Sequence, residues 1–593
     1  MSESNPQDAL IAEGINRVFE HRKNFLVIGL TGRTGSGCTT AAKILSSESF
    51  SKLKLPRDKN PPIHHEDRKQ RIVRLWAEKH WRPFTTISAT GIILALALEE
   101  GLDTLINTVQ SIDATIDIER LRSELANHET EIKSAFKIAR SLHSGEWKDH
   151  EISTAAEALS SGAISILDRA KVIFTNHGIT YTKLFQLLGN NIRCSGSPTQ
   201  QNIDPSKIFT IPETIEIIIR LLRKSFEIRG ITQKYIAIDA LRHPYEIRYL
   251  RERISSFYTL AVNTTDQERQ RRLQGLHLTD IEIKNLDEIE YPNKIAKAKD
   301  YSHLVKQNIQ ACLELADIYI SNIGHDGESR HELTRQLVRY ITLMQHPGLV
   351  TPTAIERCMQ SALTAKANSG CISRQVGAVV TDPNYSVKAI GWNDVPQGQV
   401  PCILRNVAHL AQGDYDLAAY SDYERNDEGF QNVVIESYGI SREVDSFEGR
   451  NLSYCFKSAY NKKKNNDKQI HIRPLPAEEN QVHTRSLHAE ENAFLQIAKY
   501  GGQSISGGYL FTTASPCELC AKKAYQLGIK KIYYIDPYPG IATNHVLGSG
   551  NARPELHLFE GAIGTAYHDL YQPVMAYKDE LPRLIAGRLK IDH

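Results

Sequence analysis

The sequence predicts an α/β protein of two domains: an N-terminal parallel sheet with helices on both faces, and a C-terminal α/β/α layer interrupted by a long insertion. Three observations carry this. Short β-branched runs alternate with longer helical ones, the pattern of a parallel, doubly wound sheet. A Pro/Gly break, MQHPGLVTP at 344–352, follows a long helical run. The 593 residues also exceed what one core carries, since cores stop growing at about 250–300 residues. The expected domains are therefore 1–345 and 346–593.

In the first half, FLVIGL (25–30) reads as a buried strand, followed by a glycine-rich turn and a helix start, TTAAKIL. Further strands are expected at PFTTISAT (83–90), YIAIDAL (235–241), FYTLAVNT (257–264) and ADIYISNIG (316–324). IEIIIRLLRKSFEIR and HLVKQNIQACLELA have helical periodicity. The second half opens with a helix, TAIERCMQSALTAKAN, and two strands, VGAVVTD and VKAIGWN. Residues 403–487 are rich in Tyr, Asn, Asp and Gly and read as an irregular insertion; its tract NKKKNNDK reads as a flexible, solvated loop. Helix, strand, helix and strand then follow in HAEENAFLQIAKY, GGYLFTT, CELCAKKAYQLG and KKIYYID.

Composition narrows the function. Lys plus Arg total 71 against 69 for Asp plus Glu, so the basic excess of a general nucleic-acid coat is missing, and no stable DNA binding is expected. The longest uncharged apolar run, FTTISATGIILALAL, is too short to span a bilayer, so no membrane association is expected. The N-terminal stretch has no apolar core of signal-peptide type, and a cytoplasmic location is expected. Nine cysteines form no dense framework, so a close pair points to metal or catalysis rather than a disulfide.

Such a pair stands in SPCELC. Cys517 and Cys520 at a strand-to-helix junction can turn two thiolates toward one ion, and LHAEENAF supplies His488. Three protein ligands leave zinc a fourth position for water, as catalytic rather than structural sites do. H-x-E followed by P-C-x-x-C is the signature of zinc nucleobase deaminases. In that chemistry water attacks carbon 4 of cytosine, and Glu490, close to the metal without binding it, carries the proton to the ring nitrogen and then to the leaving ammonia. Glu491, about 100° away on a helix, is expected at the surface or in an oligomer contact.

GRTGSGCTT (32–40) follows a strand and precedes a helix, as a phosphate-binding P-loop does. Gly32 and Gly37 match the spaced glycines, Thr39 takes the magnesium-touching place, and Cys38 stands where the lysine belongs. Thr34, Gly35, Ser36 and Thr40 complete the candidate nucleotide-binding set, with Asp239 at the end of an apolar strand as the Mg2+-orienting acid. Without the lysine, binding is expected and phosphoryl transfer is not. Arg242, Arg251, Arg269, Arg271 and Arg272 are candidates to approach phosphates, each read singly as part of a solvated helix face.

The segment SGCISRQVGAVVTD…AIGWNDVPQGQVPC resembles the front half of the deoxycytidylate deaminases, which carry an R-x-V-G-A-V strand and a G-[YW]-N-x-x-P-x-G loop ahead of H-A-E. The resemblance implies substrate contacts from Arg374, Trp392 and Asn393, Asn393 bonding the nucleoside and residues 392–398 walling the pocket. Read alone, the Asn, Asp, Pro and Gly of this loop are ordinary turn residues. Some members bind a second zinc with cysteines at the places of Cys371 and Cys402; His483 is a candidate third ligand, and a buried-thiol reading stands equally. Tyr534 or Tyr538 faces the pocket or packs the strand.

A kinase-like P-loop domain joined to such a zinc domain is similar to the bacterial anti-phage dCTP deaminases over nearly the whole chain. That resemblance implies hydrolytic deamination of dCTP, and often dCMP, to deoxyuridine nucleotides, which empties the dCTP pool. It also implies a homo-oligomer, with a hexamer as the expected size, restrained by an inhibitor or released by a phage-derived trigger. Two alternatives stay open: an RNA- or DNA-editing cytosine deaminase, and a nucleotide-sensing regulator with secondary deaminase activity.

Overall fold

The computed structural model of the chain describes residues 6–56, 61–174, 178–276, 278–290, 301–323, 327–413, 416–438, 446–469, 484–501, 504–536, 542 and 545–588. It divides into two compact units, 1–352 together with 560–593, and 353–559. Both have α/β architecture, and among the described residues no helix is long and apolar enough to cross a membrane.

The first unit is built on strands β1 (Phe25–Thr31), β2 (Thr85–Ser88), β3 (Lys234–Asp239), β4 (Phe257–Asn263) and β5 (Ile318–Ser321), paired in parallel in the order β5-β4-β1-β3-β2. The run FLVIGLT is apolar without alternation because both faces of the sheet are covered. Val27, Ile236 and Ile238 enter one hydrophobic core, while Leu26, Ile28, Leu30, Tyr235 and Ala237 enter the other. The strand expected over 83–90 is shorter than its apolar run. Ser88 caps the helix Ala89–Glu100, its hydroxyl accepting from the Gly91 amide at 3.1 Å. The single helix expected over 303–316 is two, Ser302–Val305 and Ile309–Glu314. Asn308 breaks the run by capping the second, its side chain accepting from the Ala311 amide.

The second unit holds β6 (Gly377–Thr381), β7 (Val387–Trp392), β8 (Ser446–Phe447), β9 (Arg450–Asn451), β10 (Tyr509–Ala514), β11 (Lys531–Asp536) and β12 (Glu555–Leu558). Its main sheet runs β12-β11-β10-β6-β7, with β10, β11 and β12 parallel and β6 and β7 antiparallel. β8 and β9 form a separate hairpin. The helices Ala489–Tyr500 and Glu518–Gln526 cover one face, sharing a core of Ala378, Val380, Ala489, Ala493, Leu510, Ala521 and Ile532.

Two expectations need correction. The insertion is not irregular: it contains the helices Val407–Gln412, Asp422–Asn426, Glu428–Tyr438 and Phe456–Gln469. Val407, Leu410, Phe430, Val434, Leu452 and Tyr454 give it a small core of its own, with Arg405 and Glu424 paired and buried inside it. NKKKNNDK lies in the last of those helices, where Lys463 pairs with Asp427 at 2.5 Å. The aromatics supplied the burial that a loop reading of the polar residues overlooked. The expected second domain also ran to 593, whereas the contacts group 560–593 with the first unit. A thirteenth strand, β13 (Gly561–Ala562), pairs antiparallel with β5, so the parallel sheet ends in an antiparallel edge. Ala562, Ala566 and Leu570 explain the return by burying themselves in the first unit's core.

Candidate functional site

His488 and Cys517 occupy the same structural position twice. Each is the extended residue just ahead of a helix, His488 before Ala489–Tyr500 and Cys517 before Glu518–Gln526. Cys520 lies one turn into the second helix. Both ligand segments therefore sit at helix N-termini, where unpaired amides favour thiolate.

The three donor atoms lie within 4.8 Å of one another. The His488 Nδ1 is 3.2 Å from the Cys517 Sγ and 3.4 Å from the Cys520 Sγ. Nitrogen at about 2.0 Å and sulfur at about 2.3 Å on a tetrahedral zinc would stand about 3.5 Å apart, so the side chains already have the required spacing. Hydrogen bonds from Cys520 and His488 pull the Cys517 thiol down to about 4, and the His488 imidazole is raised chiefly by its bond to Cys517. The donor set fits zinc, which supplies Lewis-acid activation of water when bound.

Glu490 stands one residue into the helix and is buried, with 4% of its surface exposed. Burial pushes its carboxyl above the ordinary carboxylate range, while the His488 imidazole works in the opposite sense. Thr512 on β10, which the sequence did not single out, reaches the Glu490 Oε1 at 3.4 Å. A carboxyl held out of water beside the donor set, and outside it, is suited to receive and return a proton. Glu491, expected at the surface or in an oligomer contact, is partly exposed and also has partners within the unit. Its carboxylate accepts from the His488 amide and pairs with Lys523 on the neighbouring helix, tying the two ligand-bearing helices together.

The helix Ala489–Tyr500 is set by how closely it approaches β7. A Cβ on Gly391 would stand 2.3 Å from the Ala489 carbonyl oxygen and 2.5 Å from the Ala493 amide nitrogen. Those are backbone atoms and cannot swing aside. Gly391→Ala is therefore expected to displace the helix and to lower stability by about 1–3 kcal/mol. Denaturant unfolding followed by zinc release measures this, and an unchanged midpoint would show that the contact does not position the helix.

The three expected substrate contacts are engaged within the protein. The Asn393 Oδ1 accepts from the Val376 amide at 2.6 Å, and its Nδ2 donates to the Arg374 carbonyl at 2.8 Å. Arg374 pairs with the buried Asp536. The Trp392 Nε1 donates to Asp394 at 3.2 Å, and the Trp392 carbonyl accepts from Asn492. These bonds fix the loop after β7 against the strand entrance and the helix that carries Glu490. Tyr534 is half-buried on β11; Tyr538 lies outside the described residues.

Of the second metal set, Cys402 is buried and Cys371 partly exposed, and His483 lies outside the described residues. Burial raises the Cys402 thiol, and the charge of Arg405 opposes that rise. Among the described residues, only His488, Cys517 and Cys520 form a set compact enough to hold one ion.

In the first unit, Gly32, Arg33, Thr34, Gly35, Ser36 and Gly37 form the turn from β1 into the helix Cys38–Leu45. Gly37 adopts φ 110°, and a Cβ there would strike Asn322 at 2.0 Å. The Thr39 hydroxyl donates to Asp239 at 2.8 Å, joining the first turn of that helix to the end of β3. Thr39 and Asp239 line a cleft of about 590 Å3 with Lys43, Ser160, Lys171 and Arg229. Cys38 is buried and its thiol pushed up to about 12 by that burial, so it brings no charge to the loop. Arg269 is not on a solvated face: it is 2% exposed, and its Nε donates to the Thr34 carbonyl.

The profile of the cytidine and deoxycytidylate deaminase zinc-binding region matches residues 448–536. That span holds His488, Glu490, Cys517 and Cys520, and begins after Arg374, Trp392 and Asn393. Deoxycytidylate deaminase of Enterobacteria phage T4 is 29% identical over 183 residues, covering 30% of this chain and 76% of that protein. Two structures of dCMP deaminase from the cyanophage S-TIM5, one apo and one with dCMP and dUMP, are each 22% identical over 35% of this chain. They are covered over 100% and 99% of their length, at TM-scores of 0.19 and 0.20. With the zinc-spaced donors and the buried glutamate, the profile match makes the C-terminal part of this chain a zinc-binding domain of the cytidine and deoxycytidylate deaminase superfamily.

Proposed function

We propose that the second unit removes the 4-amino group of deoxycytidine nucleotides, dCTP and also dCMP, by zinc-dependent hydrolysis, giving deoxyuridine nucleotides and ammonia. The observation that carries this reading is the buried Glu490 set against the His488, Cys517 and Cys520 cluster. The relative from phage T4 supports a deoxycytidine nucleotide over other cytosine compounds. His488, Cys517 and Cys520 hold the metal, and Glu490 takes a proton from water and returns it to the ring nitrogen and the leaving amine. Asn393, Arg374 and Trp392 form the pocket wall, with the first two positioning the strand entrance.

The role of that reaction is depletion of the dCTP pool in anti-phage defence, in a cytoplasmic homo-oligomer whose activity an inhibitor or a phage-derived trigger controls. The first unit is the regulatory part. Its glycine loop binds a nucleotide, with Mg2+ beside Thr39 and Asp239. The neutral Cys38 in the lysine's place supports binding without phosphoryl transfer.

The test offers the zinc-loaded protein dCTP, dCMP and single-stranded DNA and RNA oligonucleotides, and follows ammonia release and uracil formation. Deoxyuridine nucleotides from the free nucleotides, with the oligonucleotides intact, is the expected result. Uracil formed only in an oligonucleotide would overturn it in favour of an editing enzyme.

A further inference from the structure

The glycine loop already holds an anion of the protein's own. Glu290, the last residue of the helix Asp280–Glu290, is fully buried. Its Oε1 accepts from the Thr34 amide at 2.8 Å, from the Thr34 hydroxyl at 2.5 Å and from Arg242 at 3.2 Å. Its Oε2 lies 3.3 Å from the Arg269 Nη2 and 3.9 Å from the Arg33 Nε. Asp287, one turn earlier, pairs with Arg33 and Arg269 at 2.7 Å each. Arg33 also reaches Asp266 at 2.8 Å.

Three guanidiniums and a loop amide converging on one carboxylate exceed what a helix end requires. The same donors suit phosphate, because the planar fork of arginine accepts carboxylate and phosphate oxygens alike. The loop is also braced from outside. Arg272 donates to the Gly35 and Ser36 carbonyls at 3.2 Å each, and Asn322 to the Ser36 carbonyl at 2.8 Å. The helix that follows has no side-chain cap and no acidic residue in its first turn, so its amides remain suited to an anion. The charge missing at Cys38 is present in these arginines.

We propose that the Thr34 amide with Arg33, Arg242 and Arg269 is a phosphate-binding site in which Glu290 stands as an internal phosphate mimic, and that the polyphosphate chain of a nucleoside triphosphate enters by displacing it. This rests on the reading of the loop as nucleotide-binding. Displacement moves the helix Asp280–Glu290 off the loop, so the ligand and that helix compete for the same arginines. Apparent affinity in the wild type is then reduced by the fraction of molecules in which Glu290 occupies the site.

Calorimetric titration of the full-length protein with ATP and inorganic tripolyphosphate, neither a substrate of the zinc site, tests this, alongside Glu290→Gln and Arg269→Gln. Glu290→Gln is expected to bind about tenfold tighter or more, and Arg269→Gln about tenfold weaker or worse. In the wild type, saturating tripolyphosphate is expected to speed amide exchange over 280–290, a readout independent of how well any variant folds. If the wild type binds while Glu290→Gln is no tighter and exchange over 280–290 is unchanged or slower, the mimic is overturned and nucleotide binding by the loop stands. If no protein binds either probe, both readings fall.

Discussion

Replacing Glu490 with glutamine is expected to cut turnover about 1,000-fold while leaving the zinc in place. The size follows from the role: positioned proton transfer contributes about 100- to 10,000-fold, and here one carboxyl serves two transfers. Glutamine keeps the shape and can still accept the bond from Thr512, which stands 3.4 Å from the Glu490 Oε1, but it cannot exchange the proton. The metal should remain because, among the described residues, the compact donor set is His488, Cys517 and Cys520, without Glu490. Burial already disfavours the charged form of Glu490, so a neutral amide adds no unpaired charge to the interior. Ammonia release and zinc content measured on the same preparation separate the possibilities. Turnover within tenfold of the wild type would refute the proton-carrying role, and loss of the zinc would make Glu490 a ligand.

The zinc centre was legible in the sequence because its determinants are local. Each ligand lies at the junction of a turn and an apolar-patterned helix, and the spacings H-x-E and C-x-x-C fix which side chains leave the same helix end. The apolar strands were legible for a similar reason: the sheet's two covered faces leave FLVIGLT without polar alternation. What was not legible depends on pairs far apart in the chain. Glu290 meets Thr34, 256 positions away, and nothing near either residue announces the other. The insertion's own core, with Phe430 and Tyr454 in it, hides among Tyr, Asn and Asp that read as loop. Asn393 and Arg374 were marked by resemblance as substrate contacts, and their bonds to Val376 and Asp536 give them a positioning role beside it. Their place in the motif carried no information about which partner takes their polar atoms.

Replacing Cys517 with alanine is expected to weaken zinc binding by more than about 100-fold and to abolish deamination. The scale comes from comparison with weaker perturbations. Removing a partner that merely orients a ligand costs about 10- to 100-fold in metal affinity, so removing one of three ligands must exceed that. Zinc takes cysteine as thiolate, so the variant also loses one of the two negative charges that Cys517 and Cys520 bring to the cation. His488 and Cys520 stay on their helices, which the Glu491–Lys523 pair still joins, and the fold is expected to survive the loss of activity. Cys402→Ala provides the contrast. That thiol lies outside the compact donor set and is raised by burial, so the variant should keep one tightly bound zinc at His488 and turnover near the wild-type value. Zinc retention under a graded chelator challenge, read together with ammonia release, decides between the two sites. A Cys517→Ala protein that resists the chelator as the wild type does would remove Cys517 from the donor set, and with it the assignment of the fourth position to water.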